Sequence, residues 1–144
     1  MTDVIVVGAG PSGSTAAAML ARAGCRVVML DRAKFPRAKP CGDYLNPGCT
    51  RVLSRIGVWD AVAAASAPVA GMRLVAADGT RAPTTFSTGS GCALPRAVLD
   101  HLLVAHAAAA GASVIEETSV VRIDREARQV RVTVSRGRGK VRSE

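Results

Sequence analysis

The stretch "DVIVVGAGPSGSTAAAMLARAGCRVVMLD", residues 3–31, decides the fold. It opens with a short run rich in β-branched residues, "DVIVV" at 3–7, the composition of a strand buried on both faces of a parallel sheet. Gly8, Gly10 and Gly13 follow at once, and "STAAAMLARAG" then predicts a helix that stops at Gly24. A second apolar run, "RVVML" at 26–30, ends in Asp31. Strand, glycine turn, helix and strand make one complete βαβ unit.

A lone G-x-G-x-x-G motif is a weak signal, but here each element has a physical task. Gly8 permits a tight strand-to-helix turn, and Gly10 lets the backbone approach a pyrophosphate. Gly13 and Ala17 let the helix press onto the sheet. The pyrophosphate is then expected at the helix N-terminus, where free N–H groups and the helix dipole favour negative charge. Asp31, 23 residues after Gly8, can accept hydrogen bonds from ribose hydroxyls. An acid there disfavours a 2′-phosphate and so NADP, whereas the motif alone leaves NAD and FAD open.

Working outward, residues 32–43 are rich in Pro, Gly and Lys and are expected to form a loop. Asn46 followed by Pro47 marks the start of a helix that runs to about Ile56 and stops at Gly57. "VWDAVAAAS" makes another short helix, and "GMRLVAADGTRAPTTF" a hairpin centred on Asp78 and Gly79. "LPRAVLDHLLVAHAAAAGA" is an amphipathic helix with Val98, Leu99, Leu102, Leu103 and His106 along one stripe. "SVIEE" predicts a third strand, and "SVVRID" and "QVRVTVS" flank "REAR" as a second hairpin. The last nine residues, "RGRGKVRSE", show no pattern and are expected to be loose.

Bulk properties narrow the chemistry. In 144 residues the net charge is +8, of which +5 falls on residues 122–144. That basic end has no interleaved aromatic residue and no nucleic-acid-binding module, so no nucleic-acid partner is expected. Cys25, Cys41, Cys49 and Cys92 include no C-x-x-C pair, and His101 and His106 do not share a helix face, so no metal site is expected. No basic leader and no apolar run of membrane-spanning length is present. The chain therefore reads as a cytoplasmic protein with free thiols, whose basic end could touch anionic lipid at a membrane surface.

Three pieces together resemble the geranylgeranyl reductase family, within the wider group of para-hydroxybenzoate-hydroxylase-like flavoproteins. They are "GAGPSG" after the first strand, "FPRAKPCGDYLNP" after the second, and "LPRAVLDHLLVAHAAAAGA" near residue 100. The resemblance implies an α/β, Rossmann-like FAD-binding domain with a parallel sheet and a crossover β-hairpin, over residues 1–144, and FAD as cofactor. It implies cofactor contacts at Gly8, Gly10, Gly13 and Asp31, with Pro11 and Ser12 of the turn and Arg32 beyond the acid. It also implies Arg96 as an FAD contact and Cys41 and Gly42 beside the flavin ring, and it leaves the catalytic residues open. A surface pair between Arg96 and Asp100, worth a few tenths of a kcal/mol, is the plainer expectation for that helix start.

The activity implied is flavin-mediated reduction of isoprenoid C=C bonds, with NAD(P)H or another electron donor. A monooxygenase or halogenase of the same fold acting on an aromatic substrate, a non-catalytic nucleotide-binding fragment and an NAD-binding domain are the alternatives. Ala77-Asp78-Gly79 falls in the first hairpin and Gly42-Asp43 in the loop after Asp31, so neither stands where the family's "A-D-G" flavin segment and "G-D" motif would follow the later strands; without those and the substrate domain, the chain reads as an N-terminal portion. Such a portion would leave one edge of its parallel sheet uncovered and is expected to self-associate.

Overall fold

The computed structural model describes residues 1–137 and 140–143. In chain order the elements are β1 (Val4–Val7), α1 (Pro11–Arg22), β2 (Val27–Leu30), β3 (Tyr44–Leu45), α2 (Pro47–Ile56), α3 (Trp59–Ala64), β4 (Ala67–Val69), β5 (Gly71–Val75), β6 (Arg81–Thr85), β7 (Gly91–Ala93), α4 (Arg96–Ala109), β8 (Ser113–Ile115), β9 (Thr118–Arg125), β10 (Val130–Arg136) and β11 (Lys140–Ser143).

β1, β2 and β8 form a parallel sheet with β2 in the middle, Val4 opposite Val27 and Leu30 opposite Ile115. Alternation along β2 splits its side chains between two layers. Val27 and Met29 join Ala17 and Ala18 of α1 and Val104 and Ala107 of α4 in one cluster. Leu30 packs with Val132 and Val134 of β10, with Val28 beside them. Helices thus cover one face, and the antiparallel sheet β11-β10-β9 lies on the other. The alanines let α1 and α4 lie close to the sheet, so a core almost without aromatics still packs.

The expected βαβ unit, caps and hairpins are all present. Asn46 Oδ1 accepts from the Cys49 amide at 2.9 Å, and Gly57 ends α2 at φ +78°. β5 and β6 pair around Asp78 and Gly79, but every residue of β6 is exposed, so this hairpin stands away from the core. Three details differ from the sequence reading. β3, β7 and β4 form a further small antiparallel sheet, whose strands of two or three residues are too short to show a period. The buried residues of α4 are Leu99, Asp100, Leu103, Val104 and Ala107, while Val98 is exposed. The cause is that α4 serves two clusters, Val104 and Ala107 facing the parallel sheet while Leu99 and Leu103 join Leu53, Ile56 and Val62. Finally, Lys140–Ser143, read as loose, pairs antiparallel with β10, because ladder hydrogen bonds need no side-chain alternation. Residues 138, 139 and 144 of that stretch lie outside the described residues.

Candidate nucleotide site

The turn between β1 and α1 is shaped by its glycines. Gly8 sits at φ +95°, and its amide donates to the Leu30 carbonyl at 2.7 Å. A Cβ on Gly13 would lie 1.8 Å from the Gly8 carbonyl oxygen, so the helix can start here only without a side chain at that position. Gly10 is the N-cap of α1 and provides no side-chain cap, and the first turn holds no acidic residue. The partial positive charge of the helix start is therefore not met by a side chain of its own first turn.

Asp31 closes β2 and is 8% exposed. Its Oδ2 accepts from the Ala9 amide and its Oδ1 from the Ala33 amide, both at 2.8 Å. Each oxygen keeps a second lone pair, so the acid both fixes the turn and can take a ribose hydroxyl. A cavity of about 500 Å³ opens beside it, lined by Gly8, Asp31, Arg32, Arg37, Lys39 and Ser119 among others. Pro11 and Ser12 open α1 directly after Gly10, and they also line a more apolar groove of about 550 Å³ with Leu45, Cys49, Val52 and Leu103.

Cys41 and Gly42 lie on an exposed loop tied to the start of α4. The Asp43 carbonyl accepts from the Leu94 amide, and Asp43 Oδ1 accepts from the Arg96 amide, both at 3.0 Å. The Asp43 amide and then the Arg96 guanidinium lower the Cys41 thiol below the ordinary thiol range. Arg96 itself turns back onto Asp100, donating from Nε at 3.0 Å and Nη2 at 3.1 Å. The expected weak surface pair is not what forms: the Asp100 side chain is fully buried and is shared with Arg37, whose Nη2 lies 3.3 Å from Oδ2. Arg37 was absent from the sequence expectations. The signal for it was a cation in the loop that follows the acid-terminated strand.

These residues fit a dinucleotide such as FAD. Within the chain, a Cβ on Gly10 would meet only Arg37 Nη2, at 3.7 Å, an ordinary contact. No protein atom demands glycine there, so its small size serves a group that approaches the turn from outside. Among the described residues, no group of three or more His, Cys, Asp or Glu side chains could hold a metal ion, and no helix is long and apolar enough to cross a membrane.

A parallel sheet, a glycine turn entering a helix, and a buried acid at the end of the next strand define a Rossmann-like dinucleotide-binding domain. The chain belongs to the FAD binding domain family, whose pattern it matches over residues 1–144, and its cofactor is FAD. It is similar to the menaquinone reductase of Mycolicibacterium smegmatis, at 59% identity over 56 residues covering 39% of this chain and 14% of that protein. A geranylgeranyl diphosphate reductase of Rhodobacter capsulatus is 55% identical over 49 residues, 34% of this chain and 12% of that protein. Among solved structures, the myxobacterial chondrochloren halogenase, an FAD-dependent halogenase, superposes with a TM-score of 0.89 at 27% identity, over 99% of this chain and 35% of its own. The matched stretches thus cover only 14% and 12% of the length of these two curated relatives. The resemblance to geranylgeranyl reductases holds at the level of the FAD-binding domain, a level shared with halogenases.

Proposed function

We propose that this chain is the FAD-binding portion of a flavin-dependent reductase acting on a polyprenyl-bearing small molecule. The observation that carries this reading is the Cys41–Gly42 loop, held by Asp43 against Arg96 at the start of α4. The Lys-Pro-Cys-Gly run of that loop is the piece that resembles the reductase branch. Two relatives of high local identity are by name reductases of menaquinone and of geranylgeranyl diphosphate, and both compounds carry polyprenyl chains. When bound and reduced, FAD supplies a hydride to a C=C bond, and a proton completes the saturation. The chain's own residues bind and orient it: Gly8, Gly10, Gly13 and Asp31 the ADP half, Arg32 and Arg96 its flanks, Cys41 and Gly42 the flavin side. A Cβ on Gly42 would meet no other residue within 4 Å, so the backbone there is open to the approach of a flat ring.

A second reading, a flavin-dependent halogenase or monooxygenase, is favoured by the superposition on the chondrochloren halogenase. The two separate in one assay. The protein, loaded with FAD and reduced anaerobically, is incubated with geranylgeranyl diphosphate or menaquinone, and products are weighed by mass spectrometry. Gain of two hydrogens located in the polyprenyl chain by fragmentation, rather than at the quinone carbonyls, supports the reductase. Turnover only when oxygen and halide, or oxygen and an aromatic substrate, are supplied supports the second reading, and flavin binding with no turnover in either assay supports a non-catalytic nucleotide-binding role.

A further inference from the structure

The groove between α1, α2 and α4, about 550 Å³ in volume, is walled by Met19, Leu45, Val52, Leu53, Leu99 and Leu103. Leu53, Leu99 and Leu103 belong to a buried cluster, but Met19 and Val52 stand 58% and 48% exposed. Aliphatic surface left in water on neighbouring helices marks an interaction face. The helices around it are tied together by one guanidinium. Arg22, the last residue of α1, donates from Nη1 to the Ile56 carbonyl at the end of α2, at 2.6 Å. Its Nη2 lies 3.2 Å from Nε2 of His106 on α4.

The exposed charges on these helices are of one sign. Arg51 and Arg55 lie one turn apart on the exposed side of α2, next to Val52. Arg22 is exposed as well, and its partners are a carbonyl and an imidazole, with no carboxylate to neutralise it. α1 and α2 contain no acidic residue, and the one acid of α4, Asp100, is buried between Arg96 and Arg37. Of the acids nearest α2 in sequence, Asp43 accepts from the Arg96 amide and Asp60 follows the Gly57 turn, in α3. α2 is thus a basic amphipathic helix, with Leu53 and Ile56 buried, Val52 facing out and two arginines beside it.

We propose that this three-helix face docks on an anionic lipid bilayer, with Met19 and Val52 entering the acyl boundary and Arg22, Arg51 and Arg55 meeting lipid phosphates. Arginine suits that layer, because its aliphatic stem lies along apolar surface while the guanidinium reaches a phosphate. A protein partner would have to supply an apolar ridge and carboxylates at three fixed points. A fluid bilayer supplies apolar chains and negative charge without any register, which is why the lipid surface is the better fit. The docking face lies on the helices, apart from the basic stretch at 122–144. The proposal does not rest on the reductase reading, and a vesicle result leaves that reading untouched.

Binding of the 144-residue protein is measured by co-sedimentation with vesicles of phosphatidylcholine alone, and of phosphatidylcholine and phosphatidylglycerol in equal parts. The wild type is expected to bind the anionic vesicles only, and less as salt rises. Arg51→Gln combined with Arg55→Gln should weaken binding by about tenfold to thirtyfold, from about threefold to fivefold per arginine at an anionic surface. Val52→Asp should weaken it too, since it places a charge at the acyl boundary. Arg125→Gln with Arg128→Gln removes the same charge near the tip of the β9–β10 hairpin and should change binding by less than about twofold. Circular dichroism checks that each variant folds, and if Val52→Asp does not, the α2 arginine pair carries the test alone. An equal loss with the hairpin pair means docking by net charge and overturns the proposal. Equal binding to both vesicles also overturns it, as does binding to neither, which leaves the face to a protein partner. If Val52→Asp dissolves a dimer seen by light scattering without vesicles, the groove belongs to a second copy and the proposal falls.

Discussion

Asp31 accepts a hydrogen bond from the Ala9 amide at 2.8 Å, joining the end of β2 to the turn after β1. Ala9 is fully buried, so this N–H has no access to solvent if the acid is removed. Asp31→Ala is expected to destabilise the protein by about 1–3 kcal/mol, the cost of an unmet buried donor, in addition to weakening FAD. Urea unfolding in the absence of FAD reads the first effect by itself. An unchanged midpoint would mean that the acid acts on the ribose alone.

The glycines of the turn divide into two kinds. Gly13→Ala forces a Cβ to within 1.8 Å of the Gly8 carbonyl, so the turn must shift, at a cost of about 1–3 kcal/mol. Gly10→Ala meets only an ordinary contact and should change stability by less than about 1 kcal/mol. Its effect is expected on FAD instead. Thermal melts with and without FAD distinguish the pair: Gly13→Ala lowers both, whereas Gly10→Ala chiefly removes the gain conferred by the cofactor.

Cys41 carries a pH prediction. Its thiol lies below the ordinary range because the Asp43 amide, and after it the Arg96 guanidinium, stabilise the thiolate. Lowering means that the reactive anion is present at a pH where an ordinary cysteine is still mostly protonated. Alkylation of Cys41 by iodoacetamide, followed by peptide mass spectrometry in a Cys49→Ser background, should therefore show a rate–pH midpoint below that of a free thiol. Arg96→Ala should move the midpoint upward. A midpoint at the free-thiol value in the wild type would remove this reading.

The far side of the parallel sheet predicts association. β1 is at its edge, and Ile5 and Val7 are 39% and 54% exposed. They line a cavity of about 810 Å³ shared with Ile123, Val130 and Val132 of the β9–β10 hairpin. Parallel strands normally have both faces covered, and an open edge invites another strand. Light scattering should show dimers or larger species that shrink when Ile5→Lys and Ile123→Lys are combined. A monodisperse wild-type monomer would sink the expectation.

The first β-strand, the glycine turn, α1 and Asp31 were legible because each leaves a local mark: β-branched residues, spaced glycines, a terminal acid. The caps Asn46 and Gly57 were legible for the same reason. Asp100 was not, since the i,i+4 rule finds Arg96 but is blind to Arg37, which arrives from a loop with no periodicity. Burial then reversed the expected weight of the pair. The sheet β3-β7-β4 was hidden because strands of two or three residues have no pattern, and Tyr44 finds Ala93 only through tertiary packing. β11 was hidden because pairing on an edge depends on backbone alone.

The bond between Asp100 and its two arginines has a consequence for recombination. The loop around Arg37 and the start of α4 at Arg96 are distant in sequence, yet each neutralises the same interior charge. A chimera that takes one segment from a relative and keeps the other inherits half of an electrostatic lock. Crossover points in domain-shuffling libraries of this fold should therefore move residues 35–43 and 95–100 as one cassette, even where sequence identity would permit a cut between them.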